Sequence, residues 1–125
     1  MKKFITSSGL LFLTLIAFGQ SNPLWLRYPA ISPDGKTIVF CYKGDIYKVP
    51  SSGGDAVPLT LHEAYDVMPV WSHDGKQIAF ASDRYGNADV YVMPATGGEA
   101  KRLTFHSSND IPYDFTPDNK NVLFG

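Results

Sequence analysis

The chain carries the same segment twice and begins it a third time, and this repetition restricts the fold more than any other property of the sequence. Pro29-Ala30-Ile31-Ser32-Pro33-Asp34-Gly35-Lys36-Thr37-Ile38-Val39-Phe40 recurs 40 residues later as Pro69-Val70-Trp71-Ser72-His73-Asp74-Gly75-Lys76-Gln77-Ile78-Ala79-Phe80. It returns a further 44 residues on as Phe115-Thr116-Pro117-Asp118-Asn119-Lys120-Asn121-Val122-Leu123-Phe124. The rest of the unit repeats at an offset of 44: Asp45-Ile46-Tyr47-Lys48-Val49-Pro50 with Asp89-Val90-Tyr91-Val92-Met93-Pro94, Gly53-Gly54 with Gly97-Gly98, and Leu59-Thr60-Leu61-His62 with Leu103-Thr104-Phe105-His106. The change from 40 to 44 locates one insertion, in which Cys41 to Gly44 is replaced by Ala81 to Ala88.

A period of this length, built from short apolar runs between turn residues, is the signature of a β-propeller blade. In the second copy the spacing predicts strands over Met68–Ser72, Gln77–Ser82, Asp89–Pro94 and Ala100–Thr104. The Ser-x-Asp-Gly turn has a mechanism: Pro33 presets φ, Asp34 caps the turn, and Gly35 takes the positive φ that closes the hairpin. Asn119 replaces that glycine in the third copy, as the non-glycine residue best suited to a left-handed position. The glycine pairs form the third hairpin. Ile38 and Phe40 share one face, and Ile46 with Lys48 faces opposite to Tyr47 with Val49. The expected fold class is all-β: a partial propeller of two four-stranded antiparallel blades (about 28–60 and 68–104) and the start of a third (112–125).

Ahead of the repeats, Lys2-Lys3, the apolar run from Phe4 to Phe18 and the small residues Ala17 and Gly19 have the order of a secretory leader cut between Gly19 and Gln20. This divides the chain into a signal peptide (1–19), a linker (20–27) and an incomplete propeller (28–125), in an exported, periplasmic or extracellular product. Two of the 11 basic residues fall in the leader, which leaves 9 against 12 acidic ones. No basic field exists to hold a nucleic acid, or an anionic membrane after cleavage. Cys41, the one cysteine, lies in the run Ile38-Val39-Phe40-Cys41-Tyr42 and reads as a buried small apolar residue rather than a reactive thiol.

The residues with chemical capacity read as structural. His62 and His106, with Asp66 and Asp110 four residues on, recur at equivalent positions. A catalytic site is needed once, whereas a blade junction recurs, so they are expected to satisfy backbone groups. His73 occupies a turn position held elsewhere by Pro33 and Pro117. Asp83-Arg84-Tyr85-Gly86-Asn87-Ala88-Asp89 has oxygen-bearing side chains but not the spacing of a calcium loop, and reads as a surface hairpin. The aromatics at matched positions, Tyr47 with Tyr91 and Trp71 with Phe115, belong to the core, while Trp25 and Tyr85 lie outside it. No Gly-x-Ser-x-Gly elbow and no His-Glu-x-x-His helix occurs. The expectation is therefore no catalytic residue, no cofactor and no metal site.

These patterns, Ser-Pro-Asp-Gly-Lys-x-Ile-x-Phe, Asp-Ile-Tyr-x-Val-Pro-x-x-Gly-Gly and Leu-Thr-x-His, resemble the propeller repeats of TolB and of tricorn-type proteases. The second copy, with Ser82-Asp83-Arg84-Tyr85-Gly86-Asn87 directly after a leader-borne first blade, resembles the opening blades of a secreted tricorn-like serine protease. The resemblance covers about Leu24 to Gly125. It implies a non-catalytic region that gates substrate or supports assembly beside a peptidase core supplied downstream, since no position here matches the catalytic motifs. It also implies peptide or protein substrates, the remaining blades and peptidase domains as partners, and a homo-oligomer. The alternative it leaves open is a TolB-like periplasmic scaffold with no enzyme attached; a propeller-bearing prolyl-oligopeptidase relative is a further one. The chain is expected to be the N-terminal piece of a longer protein.

Overall fold

The computed structural model describes residues 25–125; the expected leader and most of the linker lie outside the described residues. Ten strands follow one another: β1 Arg27–Ile31, β2 Thr37–Tyr42, β3 Asp45–Pro50, β4 Val57–Pro58, β5 Asp66–Trp71, β6 Gln77–Ser82, β7 Asp89–Pro94, β8 Lys101–Arg102, β9 Pro112–Phe115 and β10 Val122–Phe124. They form two four-stranded antiparallel sheets, β1-β2-β3-β4 and β5-β6-β7-β8, and a two-stranded one, β9-β10. β1 packs on β5 and β5 on β9, whereas β4 and β8 lie at the far edges of their sheets. First strands gathered at an axis with the sheets radiating from it are the arrangement of propeller blades.

The turns follow the residues that call for them. Ser32, Ser72 and Thr116 each donate a hydroxyl hydrogen bond to the aspartate two residues on, at 2.6, 2.7 and 2.6 Å. That carboxylate accepts the amide of Lys36, Lys76 or Lys120. Gly35, Gly75 and Asn119 sit at φ +71°, +70° and +61°, so asparagine does take the left-handed position. The hydroxyl and amide donors hold the Asp34, Asp74 and Asp118 carboxyls below the usual range, the hydroxyl being the larger cause.

The insertion is narrower than the alignment of repeats suggests. Tyr42 pairs with Asp45 and Ser82 with Asp89, so the ladder is preserved on both sides of the loop. Blade 1 closes through Lys43-Gly44, both at positive φ (+52° and +92°), the geometry of a two-residue type I′ hairpin. In blade 2 the loop Asp83–Ala88 stands in that place. The outer strand differs from the expected Ala100–Thr104: β8 holds only Lys101–Arg102. Leu103 still donates to the Val90 carbonyl at 2.7 Å, but Thr104 presents its hydroxyl to the Val90 amide at 2.9 Å, so a side chain replaces the next rung. Thr60 does the same for Ile46 in blade 1. The inner strand of blade 2 begins at Asp66, ahead of the expected Met68.

The core lies between blades rather than within one. Val39, Cys41 and Ile46 of blade 1 pack on Ile78, Phe80, Tyr91 and Met93 of blade 2. The other face of blade 2 buries Ala79, Ala81 and Val90 on the side of Phe115. With both faces covered, Val90-Tyr91-Val92-Met93 shows no polar alternation, as expected of an inner sheet. In blade 1 the residues equivalent to the Phe80 face, Ile38, Phe40, Tyr47 and Val49, are half-buried. Phe40 stacks on Tyr47 at 5.9 Å as Phe80 stacks on Tyr91 at 5.7 Å. Covering Phe80 completely is worth about 1.5–3 kcal/mol over leaving it in water. Cys41 is buried, as its sequence setting implies, and loss of hydration pushes its thiol up to about 11 against a smaller opposing contribution from the Met68 amide.

Candidate functional site

The inner strands carry a feature that strand periodicity conceals. In β1 the register steps between Arg27 and Ala30, and in β5 between Val67 and Val70. Tyr28-Pro29 and Met68-Pro69 thus oppose a single residue each, Phe40 and Phe80. Tyr28 and Met68 stand at φ +52° and +54°, a left-handed backbone that costs a non-glycine residue on the order of 1 kcal/mol. The proline that follows each one has no amide to lose from the ladder, which makes the bulge tolerable there. A third irregularity falls in β9, where Tyr113 is left unmatched between the Asp114–Leu123 and Pro112–Phe124 pairs.

Together these bulges line a groove of about 430 Å3 along the inner edges, with Tyr28, Met68, Pro69, Ile111 and Tyr113 among its walls. Tyr28 is 40% and Tyr113 67% exposed. An open strand edge ordinarily offers N–H and C=O groups that would add a passing peptide as a further strand. Here Pro29, Pro69 and Pro112 remove donors, so the groove is an apolar wall with little backbone grip.

The residues singled out in the sequence lie elsewhere and do not converge. The His62 ring accepts the Ala64 amide at 3.0 Å and the His106 ring the Ser108 amide at 3.2 Å, so each histidine braces its own link between blades. Asp66, fully buried, pairs with Arg84 at 2.9 Å instead of with His62. Asp110 ties blade 3 to the Ala88 carbonyl through its amide, as Asp66 ties blade 2 to Gly44. His73 is exposed, but its Nε2 meets the Phe115 carbonyl at 2.9 Å and fastens one turn to the next blade. In the insertion loop Asp83 accepts the Tyr65 amide and Asn87 donates to the carbonyls of His106 and Ser108, so these oxygens and amides serve neighbouring backbone. Among the described residues no cluster of three or more His, Cys, Asp or Glu has metal-site geometry. Trp25 and Tyr85 are each 70% exposed, in keeping with their place outside the repeat core.

Two buried ion pairs escaped the sequence reading. Arg84 Nη2 meets Asp66 at 2.9 Å, with its guanidinium over the rings of Phe80 and Tyr91. Arg102 Nη2 meets Asp89 at 2.6 Å, between the rings of Tyr85 and Phe105. Blade 1 has Leu26 at the position of Asp66 and Pro58 at that of Arg102, so neither pair is a property of the repeat. An arginine inside the insertion and another in place of Pro58 were the available signals. Burial raises the Tyr91 hydroxyl pKa, and the two arginines oppose that rise.

Residues 23–125 match the family model of the tricorn protease N-terminal beta propeller domain. The chain belongs to this family. A curated relative, the uncharacterised peptidase YuxL of Bacillus subtilis (strain 168), is 33% identical over 88 residues, which is 70% of this chain and 13% of that protein. Among solved structures, a TolB from Agrobacterium tumefaciens superposes with a TM-score of 0.74 at 23% identity, over 82% of this chain and 38% of that one. The tricorn protease superposes with a TM-score of 0.68 at 24% identity, over 79% of this chain and 10% of that one. These two likenesses establish the fold. The chain spans well under half the length of each of these proteins.

Proposed function

We propose that this propeller region admits peptide substrates to, and helps assemble, an exported tricorn-like serine peptidase whose catalytic groups lie outside these residues. The observation that carries the reading is the groove of bulged inner strands, where Tyr28, Met68 and Tyr113 form an apolar wall poor in backbone donors. A gate of this kind selects by the passage of an extended chain and contributes nothing to bond cleavage. Family membership supports the peptidase setting, and the leader-like segment 1–19 supports export.

The test uses the full-length protein and compares kcat/KM for a long unfolded polypeptide with that for a tripeptide ester. Tyr28→Ala and Tyr113→Ala should change the ratio between the two substrates while leaving tripeptide turnover as it was. Equal effects on both substrates would overturn the admission role. Absence of any hydrolysis sensitive to a serine-directed inhibitor would favour the TolB-like scaffold instead. N-terminal sequencing of the secreted protein should begin at Gln20.

A further inference from the structure

Beside the inner groove lies a second hollow of about 410 Å3, with Trp25, Arg27, Tyr28, Lys43 and Tyr65 among its walls. Tyr28 lines both hollows, so the two adjoin at that residue. No acidic side chain lines this second one. Arg27 stands over the Trp25 ring at 5.2 Å and Lys43 over the Tyr42 ring at 5.4 Å, and among the described residues neither forms an ion pair. This separates the site from the Arg84 and Arg102 cleft, where each guanidinium already faces a buried carboxylate. One wall, the Tyr65 ring, has a fitted seat. Gly44, at φ +92°, leaves the space in which the Tyr65 ring is seated, since a Cβ there would stand 3.2 Å from that ring.

We propose that this hollow docks an acidic, extended peptide segment and feeds it into the inner groove. Two exposed cations against aromatic faces offer a carboxylate both charge and a partly dry contact. The apolar wall beyond Tyr28 continues the path for the rest of the chain. A nucleic acid would need a broad basic field, and the chain's net charge of −1 supplies none. The proposal rests on the admission reading and names the class of substrate that such a gate would favour.

The probe is N-acetyl-tetraglutamate amide, titrated at low ionic strength into the full-length protein while tryptophan emission is followed. Trp25 is 70% exposed, and Trp71 is half-buried with its indole bonded to the Ala30 carbonyl, so the change should vanish in Trp25→Phe. The expected result is a saturable change that weakens with added salt and is absent with tetraglutamine. In Arg27→Gln/Lys43→Gln the affinity should fall about tenfold, equivalent to about 1.4 kcal/mol. Both side chains are exposed, so the unfolding midpoint of that variant should stay at the parent value. No saturation, equal affinity in the double variant, or equal binding of tetralysine would overturn the proposal. If tetraglutamate binds through Arg27 and Lys43 but acidic and neutral polypeptides are cleaved at equal rates, the feeding step is overturned, while the admission reading stands or falls on the Tyr28 and Tyr113 variants.

Discussion

Replacing Arg84 by alanine should be among the most costly single changes outside the apolar core. Asp66 is 0% exposed and Arg84 17%, with 2.9 Å between their charged atoms. At an effective dielectric of about 20, opposite charges about 4 Å apart attract by about 4 kcal/mol. Removing one partner of such a pair strands the other in a dry setting, at a cost of about 3–5 kcal/mol. A domain's whole stability is about 5–15 kcal/mol, so the loss should be plain in urea unfolding, as a lower midpoint at unchanged slope. The pair is imperfectly satisfied even when intact: Asp66 Oδ1 and Arg84 Nε, like Ser82 Oγ and Tyr91 OH beside them, have no protein partner. Its replacement by apolar groups should therefore be tolerated, and blade 1 already carries Leu26 at the position of Asp66. Asp66→Leu/Arg84→Met should fall within about 1 kcal/mol of the parent, or above it. A loss below about 1 kcal/mol for Arg84→Ala, or a double variant as damaged as the sum of the two singles, would refute this account of the junction.

Further outcomes follow from the same geometry. Cys41, buried and with its thiol pushed up to about 11, should react with a thiol reagent at pH 8 only after unfolding by urea. Gly75→Ala should destabilise by about 1–2 kcal/mol because alanine resists a left-handed backbone, whereas Asn119→Gly should be neutral or slightly stabilising; thermal melts compare them. The Asp34, Asp74 and Asp118 carboxyls are depressed in the fold, so the stability they give is present above the unfolded carboxylate pKa of about 3.9 and lost as pH falls through the folded value. Urea midpoints measured from pH 6 down to pH 2 should show this decline, and Ser72→Ala, which removes the largest cause of the depression at Asp74, should make it shallower.

The repeat, the antiparallel blades and the hairpin turns were legible because each depends on local chemistry. Ser72-His73-Asp74-Gly75 supplies its own hydroxyl, carboxylate and positive φ within a few residues, whatever the rest of the molecule does. The inner-strand bulges were not, because their mark is a Tyr-Pro or Met-Pro pair that fits a plain strand start equally well. The ion pairs were hidden for a different reason. Arg84 reaches Asp66 across 18 residues of sequence, from a loop that has no counterpart in the first copy. Composition is likewise silent on which face of a blade is covered. Phe40 and Phe80 are the same residue in the same context and differ in their neighbours alone.

The loop between Ser82 and Asp89 shows that the repeat can lengthen at one spot without disturbing its register, since the rungs beside it match those beside Lys43-Gly44. This makes the hairpin a socket. Foreign sequence placed after Gly86, beyond the arginine that anchors Asp66, would hang from an intact ladder at a fixed end of the blade. A fluorescent tag or an affinity peptide set there would report on whatever approaches that end of the blade, while leaving undisturbed the strands that hold it.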